Sequence, residues 1–218
     1  MDIIIKEHIK SGVPVGSSVL VDKYKLDLSP ATVRNEMSDL EEDGYIRQPH
    51  TSAGRVPTEK AFRLYIKNLS EKKIAREENS VLSKILSSKN EHSFKLAAKA
   101  LAMFSQTAVF WAIHRRNLYY TGISNLISQP EFRENNLIYD ISLIVDRMEE
   151  IIDKNFDRFE YGPQILLGLD NPFSKYCSSV LAKYKLGGNI GLVGVLGPMR
   201  MNYEKNIALV KFVAEKLK

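Results

Sequence analysis

The sequence has 218 residues and is most informative first in what it lacks. It holds a single cysteine, Cys177. One thiol excludes an intramolecular disulfide framework and fits a reducing cytosol, with Cys177 expected as a small, half-buried hydrophobe. No apolar run approaches the roughly 20 residues of a membrane span, and the N-terminal residues show no signal-peptide pattern. The four histidines, His8, His50, His92 and His114, stand at no metal-ligand spacing and no carboxylate cluster accompanies them. There is no Gly-Lys-Ser/Thr, and Gly187, Gly188, Gly191, Gly194 and Gly197 do not follow the dinucleotide fingerprint that opens a helix. No nucleophile is paired with a base. Catalysis, a metal and a cofactor are therefore not expected.

What remains is a globular composition, 44% hydrophobic and 26% charged, with room for one large or two small domains. The formal net charge is +5, but residues 1–70 carry ten Lys/Arg against ten Asp/Glu. The excess lies in residues 71–130, with nine basic and four acidic side chains. An anionic partner of the N-terminal part would thus depend on how charge is distributed rather than on its total.

The stretch Leu28 to Thr58 organises the N-terminal part. Ser29 is a good N-cap and Pro30 suits the first helical position, where no N–H is needed; Gly44 supplies a left-handed stop. Along the helix between them, Val33, Met37 and Leu40 share one stripe, and Ala31, Arg34, Asn35 and Ser38 share the opposite one. Arg pairs bidentately with the O6/N7 edge of guanine and Asn with the N6/N7 edge of adenine, the chemistry a recognition helix offers the major groove. Tyr45–Thr51 reads as a strand, Ser52-Ala53-Gly54 as a turn and Arg55-Val56-Pro57 as the return, which together make a basic-tipped wing. A surface helix with a structural hairpin is the plainer reading of the same residues.

Upstream, residues 2–11 read as a helix ended by Gly12, and Ser18–Tyr24 as a second helix capped by Gly16 or Ser17. Thr58 caps a fourth helix, Glu59 to about Leu69. Helix, helix, tight turn, helix, hairpin is the order of a winged helix-turn-helix. The expected DNA-binding residues are Ser29, Thr32, Arg34, Asn35 and Ser38 on the helix, with Arg47, His50, Thr51, Ser52 and Arg55 on the wing.

The expected division is a DNA-binding domain over residues 1–70, a linker helix over 71–91 and an α+β sheet domain over 92–218. In the last, His92–Gln106, Asn135–Phe156 and Tyr203–Lys216 have helical periodicity. Thr107–His114, Leu118–Ile123, Gln164–Leu169, Ser178–Ala182 and Ile190–Leu196 read as strands, with hairpin turns at Arg115-Arg116-Asn117 and Gly187-Gly188. Helices are expected on one side of the sheet.

The run S-P-A-T-V-R-N-E-M-S-D-L-E-E-D-G-Y-I-R-Q-P-H-T-S-A-G-R-V-P-T-E-K-A-F-R-L-Y closely resembles the signature of the heat-inducible transcription repressor family HrcA. The upstream I-K-S-G-V-P-V-G-S, the segment Gly122–Phe132 and the segment Gly187–Tyr203 resemble that family too, in the same order. The resemblance implies a dimeric bacterial repressor, cytoplasmic and nucleoid-associated. It would bind double-stranded DNA at an inverted-repeat operator of chaperone genes, one winged helix per half-site, and be released on heat stress. It also implies a GAF-like second domain and the GroE chaperonin as a partner that maintains activity. The chain is shorter than most family members, and the region between Gln106 and Tyr119, where an inserted dimerisation segment would be expected, is nearly empty. Two other classes fit the residues taken alone: a winged-helix protein-interaction module and a ligand-responsive regulator.

Overall fold

The computed structural model describes residues 1–134 and 137–217, with backbone only for 133 and 134. The chain forms two compact units, Met1–Leu69 and Ser70–Lys218. Among the described residues no helix is long and apolar enough to cross a membrane, and no cluster of His, Cys, Asp and Glu could hold a metal ion.

The first unit contains α1 (Asp2–Ser11), α2 (Ser17–Tyr24), α3 (Pro30–Glu42), the two-residue strands β1 (Ile46–Arg47) and β2 (Val56–Pro57), and α4 (Glu59–Lys67). Ile4, Val15, Leu20, Val33, Met37 and Ile46 meet in one core, so each element contributes the apolar stripe its sequence predicts. The strand expected over 45–51 pairs only at Ile46 and Arg47, opposite Pro57 and Val56. Pro49 has no N–H to donate, so the ladder stops short of it.

Glu7 is the buried acid of this unit. Its carboxylate accepts from Lys23 Nζ at 2.7 Å and from the Tyr24 hydroxyl at 3.2 Å, joining α1 to α2. The hydrogen bond from Lys23 holds the Glu7 carboxyl below its ordinary value of 4.5, against the opposing effect of burial. A depressed folded-state pKa contributes stability that is present above the unfolded value and is lost as pH falls through the folded one. The melting temperature should therefore drop with acid below about pH 4.5 in the native protein, and Glu7→Gln should flatten that limb. Superimposable melting-temperature profiles from pH 7 to 3, followed by circular dichroism, would refute the assignment.

In the second unit, α5 (Arg76–Leu86) and α6 (Glu91–Ser105) precede the sheet strands β3 (Ala108–His114) and β4 (Asn117–Thr121). The short helices α7 (Ile123–Ile127) and α8 (Pro130–Glu134) follow, then α9 (Ile138–Asp146) and α10 (Met148–Asn155). The strands β5 (Gln164–Leu167), β6 (Cys177–Leu186) and β7 (Asn189–Pro198) and the closing helix α11 (Tyr203–Lys216) complete the unit. The five strands form one antiparallel sheet in the order β4-β3-β7-β6-β5. The β6–β7 hairpin turns at Gly187 and Gly188, both at positive φ, which a pair of glycines adopts without strain.

Helices cover both faces of this sheet, not one. Phe110, Leu181, Leu192 and Leu196 pack with Leu126, Phe132, Ile141, Ile144, Met148 and Ile152 from α7–α10. The alternate residues turn the other way: Trp111 stacks on Phe94 of α6 with ring centroids 5.5 Å apart, and α11 packs along β6 and β7. The reason is written in β7, where Leu192 to Leu196 is apolar or glycine at every position, so both faces must leave water. Trp111 Nε1 donates to the Tyr184 hydroxyl at 2.8 Å, which satisfies the indole inside that layer. Cys177 is fully buried, and burial pushes its thiol up to about 12.

One further expectation differs from the structure. The helix expected from Asn135 to Phe156 is two helices broken at Arg147, and its first residues, Asn135 and Asn136, lie outside the described residues. No proline or glycine marks the break; tertiary packing places it, with Ile141, Ile144, Met148, Ile152 and Phe156 all in the same core. Within residues 71–91, α5 packs on α6 and α11, burying Leu82 and Leu86.

Candidate nucleic-acid interface

Local chemistry sets the placement of α3. The Ser29 hydroxyl accepts from the Thr32 N–H at 3.1 Å and sits 2.9 Å from the Thr32 hydroxyl, while Pro30 occupies the first turn. Val33 and Met37 are buried, so the helix can dock in only one rotation about its axis. That rotation leaves Ser29, Thr32, Arg34 and Asn35 exposed and Ser38 half-buried, with the Ser38 hydroxyl donating back to the Arg34 carbonyl at 3.2 Å. The guanidinium of Arg34 has no partner among the described residues.

The hairpin carries Arg47 exposed on β1 and His50, Thr51 and Ser52 exposed on its tip, with Ser52 in the left-handed turn conformation at φ 69°. Arg55 is set apart from them. Its Nε donates to the Glu41 carboxylate at 2.6 Å, and its side chain is only 17% exposed. Glu41 also accepts from the Gln48 N–H at 2.7 Å, so one carboxylate at the end of α3 grips both arms of the hairpin. The hairpin is tied on its other side by an antiparallel bridge: Val15 N–H donates to Arg55 O at 2.8 Å, and Arg55 N–H to Val15 O at 2.9 Å. Thr58 caps α4 while its hydroxyl lies within reach of the Gly44 and Tyr45 carbonyls, at 2.8 and 3.0 Å.

The ten residues expected from sequence thus fall in one unit, nine on an accessible helix face and hairpin and one, Arg55, in the hairpin's anchorage. The holding residues, Glu41, Gln48 and Val15, were invisible to sequence reading, because a carboxylate among four acids and an ordinary valine carry no local signal of their partners. The clustered acids at the end of α3 are partly accounted for: Glu41 is neutralised by Arg55.

A family model described as "HrcA protein C terminal domain" matches residues 46–207. The chain belongs to the HrcA family. HrcA is a family of transcription repressors rather than of enzymes. A relative named heat-inducible transcription repressor HrcA, from Carboxydothermus hydrogenoformans, is 26% identical over 321 residues, covering 98% of this chain and 94% of its own. That alignment is longer than the 218 residues here, so the relative carries many residues for which this HrcA chain has no counterpart. The relative of the same name from Clostridium acetobutylicum is 41% identical over 133 residues, 58% of this chain and 39% of its own. Among solved structures, one described as a hypothetical protein at 2.2 Å resolution shares the fold, with TM-score 0.74 and 18% identity, covering 98% of this chain and 93% of that one.

Proposed function

We propose that this chain is a sequence-specific DNA-binding repressor of heat-shock operons. Residues 1–70 act as a winged helix-turn-helix, and a GAF-like domain over 92–218 is joined to them through 71–91. The observation that carries this reading is the exposed polar face of α3, with Arg34 and Asn35 one turn inside its capped N-terminus and the exposed hairpin tip in the same unit. The names of the family's relatives support the heat-shock role. The five-stranded antiparallel sheet with helices on both faces supports the GAF-like assignment. In this reading a cytoplasmic, nucleoid-associated homodimer places one α3 in each half-site of an inverted repeat. Heat then releases it as the GroE chaperonin is drawn away.

Within that reading Arg34 and Asn35 read base edges, with Ser29, Thr32 and Ser38 beside them, while Arg47, His50, Thr51 and Ser52 approach the backbone or minor groove. Arg55 acts by holding the wing. Fluorescence anisotropy against the chaperone-gene inverted repeat and its scramble tests the proposal: affinity for the repeat should exceed that for the scramble by at least about 10³-fold. Equal, salt-sensitive binding would leave only electrostatics, and no binding, with or without chaperonin, would favour a protein-docking module. Asn35→Ala should cost about 1–3 kcal/mol on the repeat and much less on the scramble, as loss of a bidentate base contact does.

A further inference from the structure

Beside the exposed face of α3 lies a cleft of about 350 Å³, bounded by the start of α2 (Gly16, Ser17, Ser18), by Arg34 and by Gln48 and Ser52 of the hairpin. We infer that this cleft is a clamp for one backbone phosphate of DNA, held by the N-terminal amides of α2, the Ser17 and Ser18 hydroxyls and Arg34. The inference rests on the DNA-binding reading above and adds residues and a ligand group to it.

Three observations meet there. First, α2 starts at an N-cap that cannot cap. Gly16 is extended, at φ −91° and ψ 153°, but has no side chain to accept from the amides that follow, and the first turn holds no acid. Those amides are an anion-binding end left open, and the helix dipole adds to their attraction for negative charge. Second, Ser17 borders the cleft 93% buried, at 7% relative exposure, yet its hydroxyl has no hydrogen-bond partner among the described residues. The residue is packed in while its unpaired hydroxyl keeps access to solvent, and the opening it borders is the cleft. Third, the cationic groups at the cleft differ in their commitments. Arg55 is neutralised by Glu41, whereas Arg34 has no anionic partner and reaches the cleft from the same helix that presents Asn35. Amides, a hydroxyl and a free guanidinium around one opening are the donors of an oxyanion site, and among the described residues no carboxylate lines it.

A phosphate could come from DNA or from solution. DNA is favoured because Arg34 links the cleft to the exposed face of α3, and because Ser52 of the hairpin tip closes the other side. A backbone phosphate seated there would set the register of α3 on the duplex without reading sequence, the usual division of labour between phosphate and base contacts. Arg34 then serves position as much as specificity.

The test uses the full chain and a substitution that should fold better than the native residue. A Cβ at Gly16 meets nothing within 4 Å, and its extended backbone suits a capping residue. Gly16→Asp places a carboxylate on the open amides and in the mouth of the cleft; Gly16→Asn fills the same space without charge. Both should melt at or above the native temperature. With Gly16→Asp, affinity for the inverted repeat and for its scramble should fall equally, by about tenfold, and the slope of log affinity on log salt should shrink by about one. Gly16→Asn should show a smaller loss with the same lack of sequence preference. Unchanged affinity and slope in the folded Gly16→Asp protein would overturn the clamp. In parallel, inorganic phosphate titrated into the free protein should shift the backbone amide resonances of Ser17, Ser18 and Val19, and Gly16→Asp should abolish those shifts. No shift in the native protein would overturn the anion site itself. If the native chain bound no DNA while phosphate still moved these amides, the DNA-binding reading and the backbone assignment would fall together.

Discussion

Gly54→Ala should unfasten the hairpin from the first unit and cost about 2–4 kcal/mol, through the loss of two backbone hydrogen bonds together with strain in a site that cannot relax. A methyl at Gly54 would stand 2.5 Å from both the carbonyl carbon and the oxygen of Val15 and 2.8 Å from its nitrogen. These are backbone atoms, so no change of rotamer makes room. The Val15–Arg55 bridge has to open, and with it go the hydrogen bonds of 2.8 and 2.9 Å that tie the hairpin to the segment ahead of α2. The Arg55–Glu41 pair, at 2.6 Å, depends on the same placement of residue 55. Three consequences should appear together. The melting transition of the first unit should fall, the hydrogen-bonded amides of Val15 and Arg55 should exchange faster than in the native protein, and affinity for the operator should drop by at least about 10²-fold if the tip is needed on DNA. Protection of both amides equal to that of the native protein would show that the hairpin is not held in this way. Ser52→Ala, at an exposed tip residue, serves as the control for the melting and exchange readouts, since it touches the hairpin without touching its anchorage.

The contrast between Gly54 and Ser29 shows how far the sequence could be read. Capping is local chemistry, so Ser29 and Pro30 announced the start of α3, and α11 was legible to the residue from its periodicity. The β3–β4 and β6–β7 hairpins were legible for the same reason, since their turns lie next to the strands they join. Contacts between residues far apart in the chain left no such trace. Nothing in S-A-G-R-V-P marks Gly54 as the point where the hairpin meets Val15, and nothing distinguishes Glu41 from Glu42 except the hairpin folded over it. Helices on the second face of the sheet could have been foreseen: a strand apolar at every position has no face to give to water, and Leu192–Leu196 is such a strand. The break at Arg147 could not, since the apolar spacing runs through it unchanged. The exposed polar face of α3 follows from the burial of Val33 and Met37. The cleft at Gly16 needed three segments placed together before its open amides became visible.

In the second unit the largest expected effect lies where Phe110 crosses Gly194. The two residues are direct partners in the β3–β7 ladder, and Gly194 also faces Leu181 on β6. A Cβ at Gly194 would meet Phe110 Cζ at 2.3 Å and Leu181 Cβ at 2.8 Å, so the ring lies over the glycine and occupies the volume a side chain would need. The ring has no free direction in which to retreat, because Phe173 packs against it with centroids 4.8 Å apart and the residue is fully buried. Phe110→Ala should therefore cost about 3–5 kcal/mol as a cavity in the sheet–helix core. Gly194→Ala should cost about 1–3 kcal/mol as overpacking. Combining Gly194→Ala with Phe110→Leu tests the pairing directly. The smaller side chain vacates part of the space the methyl requires, so the double variant should be more stable than the sum of its single losses, with a coupling of about 0.5–3 kcal/mol. Urea unfolding followed through Trp111, the chain's single tryptophan and a neighbour of Phe110 on the same strand, reports on this sheet. Losses that simply add, within about 0.5 kcal/mol, would mean that the Phe110 ring does not fill the space over Gly194 and that the close approach of β3 to β7 has another cause.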